Sequence, residues 1–591
     1  MKQFFKFFFA SFLGSLIAII VGVFLVLAMI IGIASSVSNM NNKKEGSVSE
    51  NSILHLTLDK PIVERGSNNP LNNFDFASFS MDEEIGLDVI IENINKAKTD
   101  DNIKGILLDL SFVNTGLSNL TEIRNALLDF KKSGKFIYSY GEYVSQGSYL
   151  LTSVSDSIFI NPEGAVIITG FKAEIMFFQK TLEKLGIEPI IIRHGSFKSA
   201  VEPFISDKMS NENRLQTKTL VNDLWSNYSN AICASRKIER KVFQNVCDSL
   251  LIESPESLLK YKIIDKVYYK DQVYNSLKNK LGIESSKKLN LITLNKYSNI
   301  PKKDEKYSEN KIAVIYFIGQ IVSGEGDQNS IGSDNICKAI IKAKDDSKVK
   351  AIVLRINSPG GSALASEVIL REIQLAKKEK PVIVSMGDVA ASGGYYIACY
   401  ADTIVANPTT ITGSIGVFGL YFNAKELLNN KLGITIDTVK STKYADLGSF
   451  TRPATDYEKI VLQKAVNRTY NTFINHVSKG RNIKTSYVDS IGQGRVWSGV
   501  KAKEIGLVDV LGGLNDAIEI ARKKAKLEDY RIVTYPKVDD LFEEVSKMFG
   551  ENKETMIEEK LGIGYKYFNS INNMVNKRGV QTILPYEINV N

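Results

Sequence analysis

Two halves of this chain repeat one another at constant spacing, and a tandem duplication restricts the fold to two copies of one unit. Lys96–Asp101, Lys-Ala-Lys-Thr-Asp-Asp, returns at 342–346 as Lys-Ala-Lys-Asp-Asp. Gly141 then matches Gly387, Tyr149 matches Tyr395, and Asn161-Pro162 matches Asn407-Pro408, all at an offset of 246 residues. One inserted residue later, Leu185-Gly186-Ile187 matches Leu432-Gly433-Ile434. In this register Ser392 stands where the first copy has Gln146, and Lys198 stands where the second has Ala445. The serine and the lysine of one ancestral unit have been divided between the copies. That division predicts a single active site assembled from both.

A chain of 591 residues exceeds one core, and the duplication gives two large domains. In the second copy the β-branched run 311–321, the apolar stretch 351–356 and the segments 382–386 and 403–406 read as strands. Helical patterns at 336–343, 363–377 and 392–400 separate them. Near-continuous Val/Ile strands between helices predict an α/β fold, with a parallel or mixed sheet covered on both faces. The first repeat is placed at 51–205 and the second at 306–545, with a polar helical region linking them at 206–305. The tail 546–591 is Asn/Lys-rich and carries no assigned role.

Residues 7–34 contain no charge, 28 positions rich in Phe, Leu, Ile and Val. A helix of that length reaches about 42 Å, more than the ~30 Å hydrocarbon core. A retained transmembrane helix is expected there rather than a cleaved signal peptide, whose apolar region runs to about 15 residues. Lys2 and Lys6 keep residues 1–6 cytoplasmic, residues 35–50 form a flexible linker, and the remainder lies across the membrane.

The net charge of +8 is spread along the chain without basic tracts interleaved with aromatics, which argues against nucleic-acid binding. Four cysteines form no Cys-x-x-Cys pair, and the three histidines (His55, His194, His476) offer neither a zinc site nor a recognisable triad. No metal or cofactor is expected.

The strongest chemical signal is Ala390-Ala391-Ser392-Gly393-Gly394-Tyr395. A serine opening a helix directly after a strand is placed to be a nucleophile, beside backbone N–H groups that stabilise an anion. In isolation it reads first as a helix N-cap. A second glycine element, Asn357-Ser358-Pro359-Gly360-Gly361, ends the buried strand, where sites gather in α/β sheets. The Gly393 N–H with one from Gly360 or Gly361 would form an oxyanion hole, each donor worth ~3–4 kcal/mol. The hydroxyl needs a base. Gly195-Ser196-Phe197-Lys198-Ser199-Ala200-Val201-Glu202-Pro203-Phe204 sets a lysine among apolar neighbours, where desolvation lowers its pKa. The competing reading is a surface lysine paired with Glu202.

Together, Ser-Pro-Gly-Gly, Ala-Ala-Ser-Gly-Gly-Tyr-Tyr, Ile411–Val417 (Ile-Thr-Gly-Ser-Ile-Gly-Val) and Gly-Ser-Phe-Lys-Ser-Ala-Val-Glu-Pro-Phe resemble the long-form signal peptide peptidase A family, also called protease IV. The resemblance runs from the membrane segment to about residue 535. It implies a membrane-anchored Ser–Lys dyad serine peptidase on a tandemly duplicated Clp protease/crotonase-like fold. Ser392 matches the nucleophile, Lys198 the general base, and Ser414 a serine that orients the lysine amine. Short-form relatives hold the lysine in a Lys-Tyr-Lys-Asp pattern, and here Lys443-Tyr444-Ala445-Asp446 has alanine at that place. The resemblance further implies apolar signal-peptide substrates, a homotetramer, and residence in the bacterial inner membrane with the catalytic domains on the periplasmic side. The rival readings are a crotonase-type acyl-CoA enzyme and a catalytically silent membrane scaffold.

Overall fold

The β-branched run that opens the second copy pairs as a strand, Lys311–Ile318, along its whole length with Val349–Ser358. In the computed structural model, which describes residues 6–7, 11–17, 21–22, 47–66, 74–75, 80–81, 84–301, 307–327, 330–536 and 580–583, these two strands centre the larger sheet. Val382–Ala391 follows Val349–Ser358 in parallel, then forks to Thr403–Ala406 at its start and Ile411–Gly413 at its end. Strand Arg531–Tyr535 closes one edge.

The first copy repeats the arrangement. Its parallel sheet runs Lys266–Val267, Ser157–Val166, Phe136–Val144, Ile103–Asp109, Ser52–Leu56, Asn290–Thr293. Strand Phe136–Val144 lies 246 residues before Val382–Ala391, and helix Leu117–Lys131 the same distance before Ala363–Lys377. Near-continuous burial along Val349–Ile356 and Val382–Met386 agrees with helices on both faces.

Residues 206–305, expected as a linking region, instead complete the first repeat. Helix Asn211–Arg236 and helix Asp456–Arg481 are both 26 residues long, each with a hydroxyl N-cap (Ser210, Thr455) and a left-handed C-cap (Lys237, Asn482). Strands Lys266–Val267 and Asn290–Thr293 then fill the two edges of the first sheet. The long helix carries a narrow buried stripe on a mostly polar surface, so its sequence resembles that of a linker.

The one-residue insertion has a structural address. Helix Gln179–Leu185 of the first copy corresponds to a π-helical turn at Leu427–Lys431 in the second. A π-turn accommodates one extra residue within a helix. Positions before it therefore keep the offset of 246, those directly after it, as far as Lys198 and Ala445, take 247, and the two long helices that follow stand at 245.

The two repeats share their cores. Ala391, Ile411 and Val496 of the second pack into the first repeat's cluster, and Ile190 and Ile192 of the first pack into the second's. Fully buried Arg355 bridges them, its Nε 2.7 Å from Glu64 and its Nη1 2.7 Å from Glu122. Most of the expected membrane span 7–34 (all but residues 7, 11–17 and 21–22, which are helical) and most of the tail 546–591 lie outside the described residues. Among the described residues no helix is long and apolar enough to cross a membrane.

Candidate active site

Strand Glu188–His194 belongs to the first repeat by sequence but pairs antiparallel with Val417–Asn423 of the second, from Glu188–Asn423 to His194–Val417. The chain then turns at Gly195 (φ 98°) and delivers Lys198 into the second repeat. Phe197 N donates to Gln493 O at 2.9 Å, and Gln216 Nε2 donates to Phe197 O at 3.0 Å, fixing the lysine's backbone from two sides. A methyl group on Gly494 would sit 2.5 Å from Lys198 Cβ, so only glycine admits the lysine's stem. Nothing marked Gly494 in advance beyond the pattern Gly492-Gln493-Gly494, which signals close backbone approach.

Ser392 stands between strand Val382–Ala391 and helix Gly393–Ala398 with φ 57° and ψ −113°. An L-residue pays for this backbone only where the surroundings enforce it. Enforcement comes from Ser392 N donating to Gly413 O at 2.9 Å and Tyr396 N donating to Ser392 O at 2.8 Å. The turn holds the hydroxyl at the helix entrance. Lys198 Nζ lies 2.9 Å from Ser392 Oγ, 3.0 Å from Ser414 Oγ and 3.3 Å from Ser414 O. Ser414, also at positive φ (50°), is held by its N–H donating to Arg495 O at 2.7 Å. All three side chains are fully buried. Desolvation without any acidic partner brings the Lys198 amine down to about 7.

Glu202 does not pair with Lys198. Ser210 Oγ donates to its carboxylate at 2.6 Å and Asn213 Nδ2 at 2.9 Å. The histidines are engaged elsewhere: His55 with Asp109, His194 with Asn467 and stacked on Tyr470, His476 with Glu367. The glycine elements meet as the motifs suggest, since a methyl group on Gly394 would lie 2.8 Å from Ser358 O. Gly360 N donates to Ser358 Oγ at 3.2 Å, while Gly361 sits in strand Gly360–Ser362 opposite Ile321. Strand Val580–Ile583 runs antiparallel to both Gly360–Ser362 and Val417–Asn423, between the two.

The positions equivalent to the two have neither chemical group: Gln146 Nε2 in the first repeat donates to Gly170 O at 3.1 Å, and Ala445 in the second is exposed in a turn.

Both halves match one family model, peptidase family S49, over residues 129–284 and 374–528. The chain belongs to this family. A Clp protease model also matches residues 308–410. "Protease 4" of Haemophilus influenzae is 36% identical over 79% of this chain and 78% of its own length. "Protease 4" of Salmonella typhi is 37% identical over 77% and 74%, and the chloroplastic "Serine protease SPPA" of Arabidopsis thaliana 35% over 76% and 67%. This S49 member is accordingly a serine peptidase with a duplicated domain.

Proposed function

We propose that Ser392 and Lys198 form a catalytic dyad spanning the two repeats, and that it cleaves apolar peptides, cleaved signal peptides among them. The observation that carries the reading is the buried amine 2.9 Å from Ser392 Oγ with its pKa near neutrality. A neutral lysine has two N–H groups for Ser414 Oγ and Ser414 O, and directs its lone pair at the serine hydroxyl. Lys198 takes that proton as Ser392 Oγ attacks the scissile carbonyl. The Gly393 N–H, with Gly360 or Gly361, stabilises the oxyanion. The lysine then protonates the leaving amine, and water resolves the acyl-enzyme.

The substrate is expected to bind as a strand between Gly360–Ser362 and Val417–Asn423, where Val580–Ile583 runs. Main-chain pairing of this kind accepts many sequences, with alternate side chains supplying preference. In this reading residues 7–34 anchor the enzyme in the inner membrane, its repeats (51–205 with 206–305, and 306–545) face the periplasm, and four copies assemble.

Hydrolysis of an apolar peptide ester tests it, comparing wild type with Ser392→Ala and Lys198→Ala. Loss of turnover in both, with the fold intact, is expected. Retained activity in Lys198→Ala would overturn the dyad and direct attention to His194. Turnover of an acyl-CoA thioester in place of the peptide ester would favour the crotonase reading, and failure of a serine-directed probe to label Ser392 would favour the scaffold.

A further inference from the structure

The strand that leads to Ser392 does not reach it in register. Val382–Ala391 pairs with Val349–Ser358 as far as Ile356–Met386 and resumes at Ser358–Ala390, so Asn357 alone stands opposite Gly387, Asp388 and Val389. The strand changes its other neighbour across the same stretch. Met386 pairs with Ala406, whereas Val389–Ala391 pair with Ile411–Gly413, and Gly413 O then accepts from Ser392 N at 2.9 Å. A bulge leaves backbone groups outside the ladder and re-aims the chain beyond it. Here the chain beyond it is the nucleophile.

Groups outside the ladder hold the bulge. Thr410 Oγ1 donates to Gly387 O at 2.8 Å, Ser118 N donates to Asp388 Oδ1 at 2.7 Å, and Val389 N donates to Asn357 Oδ1 at 3.1 Å. A backbone N–H can only donate, so the Asn357 amide turns its oxygen to Val389 and its nitrogen the other way. That nitrogen donates to Glu64 Oε1 at 2.9 Å, while Glu64 Oε2 accepts from Arg355 Nε at 2.7 Å. Glu64 belongs to the first repeat and is buried. A methyl group on Gly387 would lie 2.5 Å from Glu64 Oε1, so the carboxylate is seated against the bulge itself. Through Ser118 and Glu64, two of these three holds trace to the first repeat.

The duplication offers an internal comparison. At the offset of 246, Ser392 corresponds to Gln146 and Asn357 to Ser111. Ser111 is exposed, and its carbonyl accepts from Ser145 N and Ser148 Oγ. A serine has no second polar group with which to bridge a backbone N–H and a carboxylate. The copy without the nucleophile is therefore also the copy without the amide.

We infer that Asn357 is a positioning residue for Ser392, and that Glu64 of the first repeat orients it. The amide locks the bulge 387–389 and with it the placement of Ser392 against the Gly360–Gly361 loop, whose leading residue is Asn357 itself. Ser358, the next residue, abuts the nucleophile helix, its carbonyl oxygen 2.8 Å from where a methyl group on Gly394 would lie. One side chain thus ties the nucleophile strand to the oxyanion loop. The first repeat aligns the serine as well as supplying the lysine. The inference rests on Ser392 being the nucleophile, as in the proposed function.

A donor–acceptor swap in the full-length protein tests it. Asn357→Asp sets a carboxylate against Glu64. Glu64→Gln turns its oxygen to Arg355 and so sets an NH2 group against the Asn357 NH2. The double variant Asn357→Asp/Glu64→Gln again faces one donor with one acceptor, at unchanged net charge. The readouts are kcat and KM on an apolar peptide ester, the rate at which a fluorophosphonate probe labels Ser392, and Tm. Each single variant should lose about 100-fold in kcat and in labelling, the effect of a reacting group displaced by about 1 Å, with KM unchanged. The double variant should recover most of both rates, a non-additivity that marks residues in contact. Asn357→Ser, which copies the first repeat without adding a charge, should show the same loss and gain nothing from Glu64→Gln; it carries the test if the charged single variants do not fold. Single variants with wild-type kcat, a double variant no faster than the slower single, a loss carried by KM, or losses that follow Tm across the set would each overturn the inference. A wild type that the probe does not label would remove the nucleophile and the inference together. A labelled wild type with unaffected variants would remove the inference alone.

Discussion

Lys198→Met should abolish turnover and, at neutral pH, make the protein more stable. Burial takes the amine from its usual ~10.4 to about 7. Each unit is worth about 1.4 kcal/mol, so holding this lysine costs the native state about 4 kcal/mol at pH 7.5. Methionine fills a similar volume without that cost, but forgoes the contacts to Ser414 Oγ and O, at ~1 kcal/mol each. The net gain is about 2 kcal/mol. A domain of 150–250 residues gains ~2–4 °C in Tm per kcal/mol, so a rise on the order of 5 °C is expected. The sign reverses with pH. Between the native pKa and the unfolded one, the unfolded chain binds a proton that the native state lacks, so wild-type stability climbs by about 1.4 kcal/mol per pH unit. The variant has no such slope, and the two should cross near pH 9. Thermal melts of both proteins from pH 6.5 to 9.5 measure this directly. A Tm difference that stays flat with pH, or a variant less stable than wild type at pH 7, would refute the desolvation argument. The wild-type kcat/KM should fall below about pH 7 as Lys198 protonates.

Ser414→Ala leaves the amine only a backbone carbonyl as acceptor, and kcat should fall about 10- to 100-fold, matching ~1.5–3 kcal/mol for a charge-assisted bond; steady-state kinetics with unchanged KM would confirm it. Gly494→Ala introduces a methyl group 2.5 Å from Lys198 Cβ at a residue with φ 82°, and should cost both activity and Tm. Arg355→Met strands Glu64 and Glu122 in the buried junction and should destabilise by about 3–5 kcal/mol, read by denaturant unfolding. Removing residues 537–591 deletes the strand between Gly360–Ser362 and Val417–Asn423, and should raise kcat/KM on short peptide esters several-fold. Unchanged kinetics would show that the strand does not compete with substrate.

The limits of reading from sequence follow from which signals are local. Ser392 was legible because strand, small residues and helix entrance are contiguous in the chain. The long helix Asn211–Arg236 misled because its buried stripe faces both repeats, and a chain segment shows only its own polarity. The junction carboxylates Glu64 and Glu122 gave no signal. Their partner Arg355 is 291 residues from Glu64, and an isolated Glu in sequence is a surface residue by default.

The sequence by itself determined the duplication, the alternation of strands and helices, and the identity of the serine and lysine, each written in contiguous residues or in a fixed offset. Only the tertiary structure decided that they meet. Cross-repeat pairing of Glu188–His194 with Val417–Asn423 brings side chains 194 positions apart to 2.9 Å. The same packing removes water from the amine, and desolvation, a property of the enclosing volume rather than of any neighbour in the chain, moves its pKa into the working range.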